Sequence, residues 1–254
     1  MLRRWRLRFF VLLGLACWPA VAFSGTVDPN VIIQRMAGAY NGIHDYTALF
    51  LKRERIKGTM QPLEKIELRF QEPFKVYMAW HEPNEGRIIT YIEGENNNKI
   101  LVSPGGMLRF MRMSLDPTGS MAMRGVHHSV LQAGLRNTID MLMRQYERGV
   151  QRNEIDLHFR GYGEVDGRPA YHLEFICRAD DRDGYYAYRG EIWVDKEYYL
   201  PTRLYIYDWD NQLYEHYEYH RLRLNPGLGP EAFTISPAEE AQPSTTEIER
   251  DSDS

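Results

Sequence analysis

Cysteine is scarce in this chain. Cys17 and Cys177 are the two cysteines among 254 residues, and Cys17 lies in an apolar stretch near the N-terminus. The chain beyond that stretch holds a single cysteine and cannot form an internal disulfide. Stability must therefore come from buried apolar surface, which a chain of this length can supply from one core.

Clustered positive charge is also missing. The chain has 31 Lys and Arg against 35 Asp and Glu, a formal net charge of −4, and four of its arginines lie in the first 22 residues. Without those four arginines the formal charge is −8. Nucleic-acid binding requires clustered lysine and arginine to neutralise phosphates, so we expect no nucleic-acid partner.

Catalytic and cofactor-binding motifs are absent from the sequence. Ser129 follows His128 but lacks the G-x-S-x-G turn of a nucleophile, and helix capping explains it better. His216 and His220 have a spacing that binds zinc on a helix, but their segment alternates like a strand. Cys177 continues an alternating apolar pattern and is predicted to be a buried core thiol. The sequence therefore predicts a protein that is not an enzyme and needs no cofactor.

The two ends of the chain differ in composition from the rest. Residues 1–22 begin with the basic MLRRWRLR, continue with the apolar FFVLLGLAC and end in small residues, which is typical of a secretion signal peptide. We therefore expect the mature protein in the periplasm. Residues 236–254 are rich in acids, proline, serine and threonine and are predicted to be a disordered tail. One folded domain is expected between them, over residues 28–235.

Two segments have the apolar spacing of amphipathic helices. Asp28 and Pro29 make a helix start, and apolar residues at helical spacing continue to about Asn41 and Gly42. The second helix is predicted over residues 126–148, with one apolar stripe and Gly149 as its stop.

Short alternating segments dominate the remaining sequence. TALFLKRERI, KIELRF, FKVYMAW, GRIITYIE and NKILVS precede the second helix, and five similar segments follow it up to residue 224. About ten strands separated by turn residues predict an antiparallel meander that curves toward a barrel. The expected fold class is α+β, a strongly curved antiparallel sheet that forms an incomplete β-barrel covered by two or three helices.

Methionine is concentrated in one segment. MLRFMRMSLDPTGSMAMRG, residues 107–125, holds five of the eleven methionines in the chain. Flexible thioether side chains suit a surface that adapts to varied apolar ligands. They also suit Cu(I), because three M-x-M pairs occur here and at residues 141–143, with His127 and His128 nearby. Both hypotheses remain open at this point.

Several patterns together resemble a known superfamily. The C-terminal block GEIWVDKEYYLPTRLYIYDWDNQLYEHYEYHRLRLNPGLGPEAF has a strand, an L-P turn, a hairpin and a final N…F. Near the front of the chain, IHDYTALFLKRE has the pattern of a short helix followed by an aromatic strand. FQEPFKVYMAW, which is followed by EP, has the pattern of a second hairpin. The chain thereby resembles the LolA/LolB-like periplasmic lipoprotein carriers, and most of all the secreted family called domain of unknown function 1571. The landmark residues are Trp193, Leu200, Pro201, Leu204, Tyr214, Asn225 and Phe233.

This resemblance implies a function without catalysis. Such proteins hold a lipid or lipoprotein acyl chain in an apolar cavity and exchange it with donor or acceptor proteins at membranes. A related branch senses envelope stress with the same fold, so a regulatory role and Cu(I) binding stay as alternatives. The expected ligand-binding residues are inward strand positions and the residues that cover the cavity. They are Phe70, Val76, Met78, Trp80, Met107, Phe110, Met111, Met121, Leu131, Leu135, Ile139 and Trp193.

Overall fold

The computed structural model describes residues 27–179 and 184–235. The predicted signal peptide and acidic tail lie outside the described residues. The helices are α1 (Pro29–Gly38) and α2 (Leu135–Arg152). The strands are β1 (Asp45–Ile56), β2 (Thr59–Met60), β3 (Glu64–Gln71), β4 (Lys75–Glu82), β5 (Ile88–Ile92), β6 (Ile100–Ser103), β7 (Met113–Leu115), β8 (Ile155–Val165), β9 (Arg168–Cys177), β10 (Arg189–Asp195), β11 (Pro201–Tyr207) and β12 (Leu213–Leu224).

The strands form one curved antiparallel sheet that does not close. Its order is β7-β6-β5-β4-β3-β1-β12-β11-β10-β9-β8, and the short β2 pairs with β1 outside this path. The two end strands, β7 and β8, have no shared pairing, so the barrel is incomplete. This confirms the predicted α+β fold class. All ten predicted strands occur, and the two that sequence patterns missed, β2 and β7, are too short to show alternation.

Alternation along the strands decides which side chains are buried inside the curve. On β3, Ile66, Leu68 and Phe70 are buried and their neighbours are not. The inner surface of the sheet packs against Ile32, Ile33 and Met36 of α1 and against α2 to form one apolar core. The side chains of these alternate residues therefore line the concave side of the sheet.

Helix α1 begins where the sequence predicts. The carboxylate of Asp28 accepts a hydrogen bond of 2.9 Å from the backbone N–H of Asn30, and Pro29 is the first helical residue. The helix ends at Gly38, a few residues before the predicted Asn41-Gly42 stop.

The prediction of one helix over residues 126–148 is wrong at both ends. A short 3₁₀ turn, Val130–Gln132, comes first, and Gly134 then takes a φ of 102° that breaks the helical path before α2. Gly149 does not stop α2 but lies inside it, where a Cβ would come within 2.2 Å of the Ile155 side chain. The stop is Asn153, which adopts the left-handed conformation with a φ of 55°. None of the described helices is long and apolar enough to cross a membrane.

A buried tyrosine fixes the start of α2 against the sheet. The backbone N–H of Leu135 donates a hydrogen bond of 3.0 Å to the hydroxyl of Tyr46, which is fully buried on β1. The preceding Gly134 has no room for a side chain, because a Cβ would lie 2.9 Å from the ring of Phe70. The first turn of α2 is thus held to β1 and β3 by one hydrogen bond and one close contact.

Tyr46→Phe should destabilise the protein by about 1–2 kcal/mol, because it removes the acceptor for a buried N–H at a helix start. Urea denaturation followed by circular dichroism measures this loss. Tyr162→Phe is the control, since Tyr162 is 63% exposed on β8. Equal stabilities of the two variants would contradict the assigned role of the Tyr46 hydroxyl.

Candidate functional site

The concave side of the sheet encloses a cavity of about 220 Å³. On this measure a single water needs roughly 10–15 Å³, so the space is large enough for a sizeable apolar group. Strands β1, β3, β4, β5, β6, β11 and β12 form its wall. The apolar lining residues are Phe50, Ile66, Leu68, Met78, Trp80, Ile89, Ile100, Pro117, Ala122, Val126, Val130, Ala133, Met141, Leu204 and Ile206.

Residues 117–134, which we call the cover segment, close one side of this cavity. Pro117, Ala122 and Val126 are among its residues that line the cavity. Ser129 fixes its conformation: the hydroxyl donates a 2.7 Å hydrogen bond to the Pro117 carbonyl and accepts one from the Leu131 N–H. The Ser129 side chain caps the 3₁₀ turn, which confirms that Ser129 is a capping residue. The local hydrogen bonds of Ser129, together with contacts of His127 and His128 to the sheet, therefore hold the cover segment in place.

A smaller cavity of about 40 Å³ lies between α2 and strands β8, β9, β10 and β11. Met141 of α2 and Ile206 of β11 line both this space and the larger one. Methionine has three rotatable bonds and repacks easily. Met141 is therefore an adaptable side chain that is shared by the two cavities.

One end of the larger cavity is polar. Glu54 and Lys52 of β1, Glu215 and Tyr217 of β12, and His128 of the cover segment line it. Lys52 Nζ lies 3.2 Å from a Glu54 carboxylate oxygen, and the Tyr217 hydroxyl donates to the other oxygen. We call this set, together with His127 and Tyr186, the polar floor.

His127 lies beside both carboxylates of the polar floor. Its Nδ1 is 2.7 Å from Glu215 Oε1 and its Nε2 is 3.1 Å from the carbonyl oxygen of Arg55. A carbonyl oxygen only accepts hydrogen bonds, so Nε2 donates to Arg55, and the Glu215 carboxylate favours a proton on Nδ1 as well. His128 Nε2 lies 3.1 Å from the same Glu215 oxygen, to which the Tyr186 hydroxyl also donates.

These contacts set the charges of the polar floor. Burial favours the neutral form of Glu215, but hydrogen bonds from His127, His128 and Tyr186 outweigh it and lower the pKa of Glu215 to about 2. Burial alone would lower the pKa of both histidines, and the hydrogen bond and charge of Glu215 raise it instead. The lowered pKa of Glu215 and the raised pKa of both histidines therefore favour ion pairing in the polar floor of a cavity whose wall is mostly apolar.

The predicted ligand-binding residues occupy four different environments. Met78 and Trp80 line the cavity. Phe70, Val76, Leu135 and Ile139 are buried in the core beside it. Leu131 lies on the cover segment, partly exposed, and Met107, Phe110, Met111 and Met121 are exposed on the surface.

Trp193 has the opposite orientation from the one that alternation suggested. On β10 the buried positions are Ile192 and Val194, so Trp193 lies on the outer face. Its ring stacks on His172 of β9 with centroids 4.1 Å apart. The prediction that Trp193 faces inward is therefore wrong, since its neighbours Ile192 and Val194 occupy the inward positions.

Sequence reasoning missed the charged lining. Lys52, Glu54, Arg87, Arg144 and Glu215 all line the cavity, although none was among the predicted site residues. Alternation contained part of the signal: Lys52 and Glu54 continue, at every second residue, the inward face that begins with the buried Tyr46. From the sequence alone, charged residues at those positions are predicted to be solvent-exposed, because the neighbouring strands are not known.

A second histidine cluster lies on the outer face of β12. The prediction that His216 and His220 lie on a strand is confirmed, and Glu218 stands between them. Their Nε2 atoms are 2.6 and 2.7 Å from the two oxygens of Glu218. Burial favours neutral Glu218, but hydrogen bonds from His216, Arg203 and His220 hold the pKa of Glu218 far below its usual range.

Glu218→Gln should lower stability at pH 7 by about 1–3 kcal/mol, because His216, His220, Arg203 and Tyr205 lose a charged acceptor. A carboxyl group whose pKa is lowered by folding stabilises the protein above its ordinary pKa of 4.5. This contribution is lost as the pH falls below that value. Urea denaturation at several pH values should therefore show the gap between the two proteins narrowing below pH 4.5. A gap that stays constant with pH would rule out the charge effect.

Several solved structures are similar to this chain, whereas no curated protein matches it. A chain of the Pseudomonas aeruginosa MucA/MucB complex is 16% identical, with 84% of this chain and 62% of that one covered and a TM-score of 0.49. The Mycobacterium tuberculosis lipoprotein LppX is 10% identical, with 80% and 99% covered and a TM-score of 0.47. A LolA superfamily protein from Nitrosomonas europaea is 11% identical, with 82% and 98% covered and a TM-score of 0.37.

A family model gives the assignment. The model described as a protein of unknown function (DUF1571) matches residues 43–241, which is most of the chain and includes every strand of the sheet. This confirms the family that the order of sequence motifs suggested, and the chain belongs to the DUF1571 family.

Proposed function

We propose that this protein is a non-enzymatic binding protein of the bacterial periplasm that holds an acyl chain of a lipid or lipoprotein in its cavity. The observation that carries the proposal is the cavity itself, about 220 Å³ with a largely apolar lining between the curved sheet and the cover segment. Binding sites for apolar ligands are concave, mostly apolar and supplied with a few polar groups.

Burial of methylene groups provides enough free energy for such binding. Each buried methylene contributes about 0.8 kcal/mol, so six of them give about 5 kcal/mol before ordering costs. A longer chain would need the smaller cavity as well. Met141 lies between the two spaces, and its flexibility would let them join.

The polar floor, together with Arg87 and Arg144, would bind the polar end of the ligand. Arg87 lines the cavity with its guanidinium 4.6 Å from the centre of the Trp80 ring. Burial lowers the pKa of Arg87, so a ligand anion would compensate a cation that is partly removed from water. An acyl chain with an anionic head group thus matches both parts of the lining.

The exposed methionines would contact the acyl chain as it enters or leaves. Met107, Phe110, Met111 and Met121 are 97%, 66%, 49% and 64% exposed. The neighbour of Met121, Ala122, lines the cavity, so this part of the chain extends from the surface to the interior. Adaptable apolar side chains at that place suit transfer to and from donor or acceptor proteins at a membrane.

Native mass spectrometry of the protein purified from its own host should show adducts with the masses of acyl-bearing molecules. Organic extraction of the same sample should release them and leave the mass of the chain alone. A preparation that carries no acyl adduct and binds no added fatty acid would overturn the proposal. A stable protein partner in place of an acyl adduct would support a sensor on the same fold.

Met141→Trp should weaken binding of a fluorescent fatty acid such as cis-parinaric acid by about tenfold, because the indole occupies the junction of the two cavities. Titration of the delipidated proteins, followed by fluorescence, measures this change. Val150→Trp places the same residue on the exposed side of α2 and should bind as the wild type does. Equal affinities of Met141→Trp and Val150→Trp would place the ligand outside this cavity.

A further inference from the structure

Two buried glutamates face each other inside the sheet. Glu54 on β1 and Glu215 on β12 are direct partners in the antiparallel register. Their residues are 3% and 0% exposed. Like charges directly opposite each other on neighbouring strands destabilise a sheet, and burial increases the cost. This pair therefore needs cations close by.

The compensation provided by the protein is uneven. Glu215 Oε1 lies within hydrogen-bond distance of His127, His128 and Tyr186. Glu215 Oε2 is also buried but has no hydrogen-bond partner among the described residues. A buried carboxylate oxygen that lacks a partner is unusual and indicates a bound water or ion.

The donor atoms have the arrangement of a metal site. One carboxylate oxygen each from Glu54 and Glu215 and one ring nitrogen of His127 all lie within 4.8 Å of one another. Zinc binds nitrogen and oxygen at about 2.0–2.2 Å, which separates ligands of a tetrahedral ion by about 3.3 Å. Small side-chain rotations would therefore bring all three donors to an ion placed between them.

The surroundings of these donors also fit a metal ion. His127 Nε2 donates to the Arg55 carbonyl, so Nδ1 is the nitrogen that points to Glu215 and would bind the ion. Metal-binding histidines usually have this second hydrogen bond, which fixes the ring. The Tyr217 hydroxyl orients the Glu54 carboxylate in the same way.

We propose that Glu54, His127 and Glu215 bind a divalent transition-metal ion, with Zn²⁺ as the best match, in the polar floor. One imidazole and two carboxylates suit zinc better than calcium, which prefers six or more oxygen ligands. On binding, the proton of His127 Nδ1 is released to solvent and the ion takes its place. This site goes beyond the acyl-binding proposal and does not depend on it.

Isothermal titration of the chelator-stripped, delipidated protein with ZnCl₂ tests the site. We expect one ion per chain, and binding roughly a hundredfold weaker in His127→Gln and Glu215→Gln. His216→Gln is the matched control, because it removes a histidine from a glutamate on the outer face of the same strand. The control should bind Zn²⁺ as the wild type does.

Co²⁺ gives a second readout that does not depend on affinity alone. A Co²⁺ complex with low coordination number should show visible absorption bands in the wild type and in His216→Gln but not in His127→Gln. Circular dichroism establishes that each variant is folded, and Glu54→Gln replaces Glu215→Gln if the latter is not. Absence of Zn²⁺ binding by the wild type, or equal binding by folded His127→Gln, overturns the metal site. Neither result affects the fatty-acid titration, so the two proposals fail separately.

Discussion

The antiparallel pairing of β1 with β12 is the contact on which the rest of the structure depends. It joins the strands before α2 to the strands after it and makes one continuous sheet. Without it, each half would be a small meander with both faces open to water. With it, the sheet is long enough to curve around an interior, and Glu54 is brought opposite Glu215.

The interior created by this pairing is only partly filled by the protein. α1 and the first turn of α2 pack tightly, as the close contact between Gly134 and Phe70 indicates. The cover segment packs less tightly, since it leaves the larger cavity beneath it and contacts the sheet there through hydrogen bonds of His127 and His128.

The cavity combines two environments that oppose each other energetically. Most of its wall is apolar, yet it includes carboxylates that are costly to bury without cationic partners. Lys52 lies beside Glu54, and His127 and His128 lie beside Glu215. A structure optimised for stability alone would fill this space with apolar side chains, so retention of both the space and the charges favours a binding role.

Much of the fold could be predicted from the sequence, because local patterns carry that information. Alternation located all ten of the longer strands, and Asp28 with Pro29 located the start of α1. The same patterns failed where a single glycine or asparagine changes the backbone, as at Gly134 and Asn153. The prediction that Trp193 lies on the inner face was also wrong, because alternation alone does not show which of the two sheet faces is covered.

The sequence by itself determined most of the strands, the fold class and the family, because periodicity, turn residues and motif order are local properties of the chain. Only the tertiary structure decided that Met78 and Trp80 share a cavity with Lys52, Glu54 and Glu215, whereas Met107 and Met111 lie on the surface. The reason is physical: the cavity depends on pairing between β1 and β12, whose partner residues are more than 150 positions apart in the chain. No periodicity within a strand encodes which distant strand lies beside it.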